Sequence, residues 1–309
     1  MFSFGLMLHH LHGGAHPQGQ GTISADDLAD IIEYLGPRNL LDPHDWIDRS
    51  LAGRLEPHHR CITLDDALRS QNEIAKPVFD AYGIKAFFFV YSLIFEGKVE
   101  RTELFRHYRT VRFQNVEEFY AAFFGLLDAS EYAGTVRDKI ASFDSVGYLE
   151  NYSFYTRGDR LFRYVRDVVL GRDRYFSIVD GMMEADSAYD TAAASRSLWL
   201  SPQDVRLLHE EGHVIGLHSH THPTSLASLS AEEQRSEYVA NINHLSALVG
   251  EVPRTMSHPL NSYNRDTLNL LTDLGVRIGF RDNMMLGPDA SLLEQPREDH
   301  ANIISAIRK

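Results

Sequence analysis

Two short stretches of the chain gather residue types that bind metal ions and move protons. Asp65 and Asp66 follow the apolar run at residues 61–64, and His218 and His222 lie four residues apart in a later loop. Two imidazoles and one carboxylate form a ligand set that leaves a coordination position open on a catalytic zinc-type ion. A second carboxylate that does not bind the ion can take a proton from the attacking water. These four side chains therefore favour a metal-dependent hydrolase.

Each stretch has a simpler interpretation when it is taken alone. The two aspartates can cap the helix that follows them and place negative charge in its first turn. A histidine pair four residues apart, away from a long helix, is only weakly diagnostic of a metal site. Both simpler interpretations lose weight because each stretch follows a buried-type strand. The carboxyl ends of such strands face a shared crevice in α/β folds.

The elements that must position these residues alternate between strand and helix on both sides of a long middle segment. In the first part the pattern predicts strands at residues 4–8, 60–64 and 84–91 and helices at residues 25–35 and 72–82. In the last part it predicts helices after Ser201, Ser230 and Asn264 and strands at residues 213–217, 254–257 and 276–280. Between these parts, aromatic and charged residues recur at helical spacing. We therefore predict an α/β barrel or open sheet from residues 1–91 and 201–309, with a mostly helical insertion at residues 92–200.

Charge, cysteine count and hydropathy limit the partners, metal sites and location that the chain can have. The 309 residues carry a formal net charge of −13 and contain no run of basic residues, which argues against a nucleic-acid partner. Cys61 is the single cysteine, so neither an intrachain disulfide nor a cysteine-rich zinc site can form. The sequence has no apolar run near the ~20 residues that span a bilayer. Because the first residues also lack a basic leader region, the expected location is the cytoplasm.

Four segments resemble motifs of the polysaccharide deacetylase family, the NodB-type carbohydrate esterases. Residues 63–67, Thr-Leu-Asp-Asp-Ala, are similar to the family's T-F-D-D-G motif, and residues 218–223 match its H-[ST]-x-x-H-P motif. Residues 256–264 resemble its Y-P-[FY]-G-x-Y-N segment, and residues 295–297 resemble its L-P-R segment. The resemblance implies a distorted (β/α)7 barrel.

The resemblance also assigns roles to individual residues. It implies that Asp66, His218 and His222 bind one divalent ion, with zinc as the first choice and cobalt or nickel as alternatives. It makes Asp65 the catalytic base and Arg297 the partner that holds its charge. The substrate-contacting positions that it implies are His258, Pro259 and Leu260.

The general acid must come from a different place than in most of the family. The family's late L-x-H motif is absent from residues 302–309. The related poly-N-acetylglucosamine deacetylases supply this histidine from an N-terminal Y-H segment, which residues 7–11, Met-Leu-His-His-Leu, resemble. We therefore predict His9 as the general acid, with His10 and His258 as alternatives.

Other positions also depart from the family pattern. Ser257 stands where the family has an arginine, so that role is either lost or taken by Arg297. Ala67 replaces a glycine, which is a mild change unless the backbone there needs a positive φ. Leu260 and Asn261 replace an aromatic–glycine pair.

The combined prediction is a metal-dependent hydrolase that removes an N-acetyl group from an amino sugar. The predicted substrate is a nucleotide- or lipid-linked precursor of a surface polysaccharide. Two alternatives stay open: a hydrolase of another small amide, formyl or cyclic, on the same fold, and a non-catalytic binding protein on a decayed esterase fold. The insertion is predicted to cap the cleft or to mediate a homodimer.

Overall fold

The computed structural model describes residues 2–150, 155–287 and 289–309. Residues 151–154, which belong to the predicted insertion, lie outside the described residues, as do Met1 and Pro288. The chain divides into two compact units. The first contains Met1–Glu100 and Ser197–Lys309, and the second contains Arg101–Arg196.

The first unit is built on a sheet of seven parallel strands in the order β6-β5-β4-β3-β2-β1-β7. The strands are β1 (Phe4–Leu8), β2 (Arg60–Asp65), β3 (Phe87–Val90), β4 (Val214–Leu217), β5 (Thr255–Ser257), β6 (Ile278–Phe280) and β7 (Arg297–Asp299). Just before β7, the Gln295 amide donates to the Gly279 carbonyl, and the Arg281 amide donates to the Gln295 carbonyl. These bonds bring the two edges of the sheet together. The nearly closed, distorted (β/α)7 barrel that the motifs implied is therefore confirmed.

Helices cover the outside of the barrel. Those of the first unit are α1 (Ala25–Leu35), α2 (Pro43–Leu51), α3 (Lys76–Tyr82), α10 (Pro202–Glu210), α11 (Ala231–Val249), α12 (Arg265–Asp273) and α13 (His300–Ile307). Capping boxes at Ser24, Ser201 and Ser230 start α1, α10 and α11, since each serine hydroxyl accepts from an amide of the first turn. Gly83 and Gly250 end α3 and α11 in the left-handed conformation, with φ of 65° and 81°.

Aromatic side chains fill the inside of the barrel. Phe87 and Phe89 of β3 pack against Phe280 of β6, with ring centroids 5.3 and 5.5 Å apart. Gly216 of β4 leaves room for them, because a Cβ at that position would lie 2.5 Å from the Phe89 ring. The packed interior leaves the carboxyl ends of the strands as the place for polar chemistry.

The second unit is helical, and the predicted insertion at residues 92–200 stays a prediction. It contains α4 (Arg101–Arg112), α5 (Val116–Asp128), α6 (Ala133–Ala141), α7 (Arg157–Tyr164), α8 (Arg172–Ala185) and most of α9 (Thr191–Leu198). Its core is aromatic: the rings of Phe119, Phe123 and Tyr175 each contact Phe162. A role for this unit as a cap or dimerisation element stays a prediction.

The sequence pattern missed three elements of the first unit. β7 was not predicted as a strand because its residues Arg-Glu-Asp lack apolar alternation. Helices α2 and α13 were also not predicted. In the part of the chain that the structure describes, no helix is long and apolar enough to cross a membrane.

Candidate active site and metal centre

The carboxyl ends of two strands on either side of β3 bring the predicted ligands together. Asp65 is the last residue of β2 and Asp66 follows it, while His218 directly follows β4. The backbone turns sharply at these points, with positive φ at Asp66 (77°), Ser219 (62°) and His222 (53°). Non-glycine residues seldom adopt this conformation, and such strain concentrates at functional sites.

Asp66 lies between two imidazoles at distances that suit a shared metal ion. Its Oδ1 is 3.4 Å from Nε2 of His218 and 3.5 Å from Nε2 of His222. A tetrahedral zinc ion with ligands at about 2.0–2.1 Å places its ligand atoms roughly 3.3 Å apart. Charge-assisted hydrogen bonds are shorter, about 2.7–2.9 Å. Asp66 Oδ1 is buried and has no hydrogen-bond partner among the described residues. The donor set and its spacing therefore fit a divalent cation.

Groups around the ligands fix their orientation. Nδ1 of His218 donates to the Ser257 carbonyl at 2.9 Å, which leaves the lone pair of Nε2 for an ion. The His218 amide donates to the Asn241 side chain at 3.0 Å, and Asn241 in turn donates to the Val90 carbonyl at 2.9 Å. Packing of this kind holds a metal-binding imidazole in one rotamer.

The ring of the second histidine is held by stacking. The His222 imidazole lies against the Tyr91 ring, with centroids 5.2 Å apart, and the Trp199 indole donates to the Tyr91 hydroxyl. All three ligand side chains are at least nine-tenths buried. Burial raises the pKa of Asp66, but the neighbouring His218 and His222 outweigh it and hold that pKa well below its ordinary value.

Asp65 is held by a buried arginine. Nη1 and Nη2 of Arg297 donate to the two Asp65 oxygens at 2.8 and 2.7 Å, and the Ser257 hydroxyl donates to Oδ2 at 3.0 Å. Burial acts to raise the pKa of Asp65, but the Arg297 charge, followed by His218, lowers it to about 2. Asp65 is therefore an ionised carboxylate at neutral pH.

Arg297 itself is anchored on three sides. Its Nε donates to the Arg281 carbonyl, Nη1 to the Thr63 hydroxyl and Nη2 to the Ser257 hydroxyl. Its side chain is 1% exposed. The partner of Asp65 thus comes from β7, and Ser257, at the family's arginine position, bridges the two charged groups.

The predicted general acid lies beside the predicted base. Nε2 of His9 is 3.7 Å from Asp65 Oδ2, and the His9 side chain is 28% exposed. Gln71 donates to the backbone carbonyls of both His9 and Asp65, which ties the loop after β1 to the end of β2. His10 stacks on His9 with ring centroids 6.0 Å apart.

Of the predicted substrate-contacting residues, only Leu260 presents its side chain to solvent. His258 and Pro259 are buried, whereas Leu260 is 56% exposed. Nε2 of His258 faces the Leu293 carbonyl at 2.8 Å, and its ring stacks on Tyr263. Burial lowers the pKa of His258 to about 4, so it is neutral at pH 7. The substrate contacts of these three residues stay predictions.

Two residues that replace glycines of the family motifs have a left-handed backbone conformation. Ala67 has a φ of 52°, so the backbone after Asp66 does need a positive φ. Alanine pays roughly 1–2 kcal/mol for that conformation. Asn261, with a φ of 53°, stands at the other glycine position, and asparagine tolerates it better.

Several positioning residues were not found from the sequence. Gln71, Tyr91 and Asn241 contact the site residues, yet none belongs to a cluster of chemically active residue types. Ser257 was noted only as the position of the family's arginine, and its hydrogen bond to Asp65 was not predicted. A polar residue facing the core side of a helix, as Asn241 does on α11, is the one signal that the sequence offered.

Comparisons with known proteins show which family and which fold the chain resembles. A family model described as polysaccharide deacetylase matches residues 175–279, a range that includes His218 and His222. The deacetylase PplD from Streptococcus pyogenes, solved in complex with acetate, is 13% identical with a TM-score of 0.57, covering 99% of this chain and 98% of that one. IcaB from Ammonifex degensii is 13% identical with a TM-score of 0.54, and the match covers 100% of this chain and 97% of IcaB. A de-N-acetylase from Aggregatibacter actinomycetemcomitans is 12% identical with a TM-score of 0.54, and the match covers 99% of this chain and 98% of that enzyme.

At these identities the structural likeness shows the fold. No curated protein sequence matches the chain significantly. The family match covers the motif at residues 218–223, and the shared barrel is the fold that the resemblance implied. The predicted resemblance to the polysaccharide deacetylase family is therefore confirmed.

Proposed function

We propose that the chain is a metal-dependent hydrolase that removes an N-acetyl group from an amino sugar. One observation carries the proposal. A buried carboxylate oxygen of Asp66 without a hydrogen bond faces Nε2 of His218 and His222 at 3.4 and 3.5 Å. The ionised Asp65 is the preceding residue. The polysaccharide deacetylase match and the fold shared with solved deacetylases support the same activity.

Asp66, His218 and His222 would hold the ion, which supplies Lewis-acid polarisation of the acetamide carbonyl when it is bound. Asp65 takes a proton at a carboxylate oxygen from the attacking water. Arg297 and Ser257 keep this carboxylate ionised and fix its orientation through the contacts at 2.7–3.0 Å. A base held in one rotamer needs no reorganisation when the proton moves.

His9 donates a proton to the departing amine nitrogen. Its Nε2 is near Asp65 and its side chain is partly exposed, so a substrate can reach it. Cleavage of an amide needs this proton because an amide anion is a poor leaving group. The acid and the base therefore act from two adjacent strands, β1 and β2.

The proposed substrate class is an amino sugar carried on a nucleotide or a lipid, a precursor of a surface polysaccharide. The test is acetate release by the zinc-loaded protein from a uridine-diphosphate N-acetylhexosamine, a lipid-linked N-acetylhexosamine and an N-acetylglucosamine oligomer. We expect release that disappears on chelation and returns with zinc. Release from the oligomer alone would refute the carrier assignment. A fully metal-loaded protein that deacetylates none of the three would refute the proposed function.

A further inference from the structure

A second group of two histidines and a carboxylate lies in the first unit and shares no residue with the proposed catalytic site. Its members are Glu96, His220 and His244, whose ligand atoms all lie within 4.8 Å of one another. Glu96 Oε1 is 3.4 Å from Nε2 of His220 and 3.6 Å from Nε2 of His244. These spacings repeat those around Asp66 and again approach the roughly 3.3 Å between ligands of a tetrahedral ion.

We propose that Glu96, His220 and His244 bind a second divalent transition-metal ion, which braces the loop that carries the catalytic ligands. His220 lies in that loop, between His218 and His222. Glu96 lies in the 3-10 turn Leu93–Glu96 that follows β3, and His244 lies on α11. One ion would therefore connect three separate segments of the barrel.

Ser92 orients both imidazoles toward Glu96. Its buried hydroxyl oxygen is 3.0 Å from Nδ1 of His220 and 3.1 Å from Nδ1 of His244. A hydroxyl oxygen has two lone pairs, so it can accept from both Nδ1–H groups. In that tautomer both Nε2 atoms carry lone pairs that face the same carboxylate oxygen, which is the arrangement that binds a cation.

Hydrogen bonds fix the backbone around His220 without any bound ion. Glu237 accepts from the amides of His220 and Thr221 at 3.0 and 2.8 Å, and the Leu93 amide donates to the His220 carbonyl at 2.9 Å. Preorganised ligands lose little conformational entropy on binding. Lys98 contacts the other oxygen of Glu96 at 2.7 Å, and its side chain is 63% exposed. Oε1 therefore stays available to an ion.

The ligand types define the class of ion. Two imidazoles and one carboxylate suit zinc, cobalt, nickel or copper, whereas magnesium and calcium prefer all-oxygen sites. The side chains of Glu96 and His244 are 33% and 34% exposed, while those around Asp66 are at most 10% exposed. We therefore expect the second site to bind zinc more weakly than the first.

The test is a zinc titration of the metal-free protein by calorimetry, with bound zinc counted by mass spectrometry. We expect two equivalents in the wild type, one in His244→Ala, one in His218→Ala and none in the double variant. The surface variant His44→Ala, with an exposed side chain on α2, is the matched control and keeps two. Removal of a ligand should weaken the second binding event by more than the roughly 10–100-fold that loss of an outer-shell partner costs.

The outcomes separate this proposal from the catalytic one. Two equivalents in His244→Ala with unchanged affinities would overturn the second site. One equivalent in the wild type and none in His218→Ala would overturn it as well, and would leave the first site standing. Glu96→Gln is a second variant that preserves side-chain volume, and we expect the same loss of one equivalent. Retention of both equivalents in a folded Glu96→Gln protein would also count against the proposal.

A structural readout tests the bracing role directly. Zinc should slow hydrogen exchange at the Leu93 and His220 amides in the wild type and in His218→Ala, because the second ion ties both segments to α11. In His244→Ala, zinc should leave the Leu93 amide unchanged. Equal protection of Leu93 in His218→Ala and His244→Ala would contradict the assignment.

Discussion

Replacing Asp65 with asparagine is expected to lower kcat for acetate release by about 10²–10⁴-fold while the zinc content stays unchanged. Asparagine has nearly the same shape but no carboxylate to accept a proton. His218 and His222 keep their positions because the Ser257 carbonyl, the Asn241 side chain and the Tyr91 ring hold them independently of the Asp65 side chain. The measurement is kcat and bound zinc on the same purified sample.

The matched control is Asp45→Asn, an exposed carboxylate in the first turn of α2. It removes the same charge and should leave both kcat and zinc content within about twofold, because surface substitutions away from functional groups have small effects. A folded, zinc-loaded Asp65→Asn protein with wild-type kcat would rule out Asp65 as the base. Loss of zinc in that variant would show that Asp65 is itself a ligand.

Replacing Arg297 with methionine is expected to lower the free energy of unfolding by about 3–5 kcal/mol, the usual cost of removing one partner of a buried ion pair. Methionine fills much of the volume but leaves the Asp65 charge buried and without its bidentate partner. The Thr63 and Ser257 hydroxyls and the Arg281 carbonyl also lose a contact. Urea unfolding at pH 7 measures the change.

A double variant separates the ion pair from simple packing. Asp65→Asn together with Arg297→Met removes both charges, so we expect it to be more stable than Arg297→Met alone. Arg277→Met, an exposed arginine next to β6, should change stability by no more than about 0.5 kcal/mol. If the double variant is less stable than Arg297→Met, the buried charge is not the cause of the loss.

Local patterns predicted most of the barrel. The helices predicted at residues 25–35 and after Ser201 and Ser230 begin within a residue or two of the predicted positions. Strong apolar runs marked the strands, although β3 is shorter than predicted. These signals are local, so one sequence suffices to detect them. β7 was missed because its three residues are all charged and show no apolar pattern. It is a strand because its backbone pairs with β1, a contact that is distant in sequence.

Some residues of the candidate site could also be predicted from local sequence patterns, and others could not. Asp65, Asp66, His218 and His222 stood out because metal-binding residue types seldom follow two buried strands. The structure places them together, and it places His9 and Arg297 next to Asp65. The supporting contacts of Gln71 and Ser257 depend on which segments meet in space, which the sequence does not record. Glu96, His220 and His244 were missed for the same reason, since they lie on three separate segments.

The central claim is that Asp66, His218 and His222 bind a catalytic metal ion. Its most direct test is the zinc content of purified wild type, His218→Ala and His44→Ala, measured side by side by mass spectrometry after loading and extensive dialysis. We expect His218→Ala to contain one equivalent less than the wild type and to release no acetate, and His44→Ala to match the wild type in both. Equal zinc content in all three proteins, or no zinc in any of them after loading, would contradict the account.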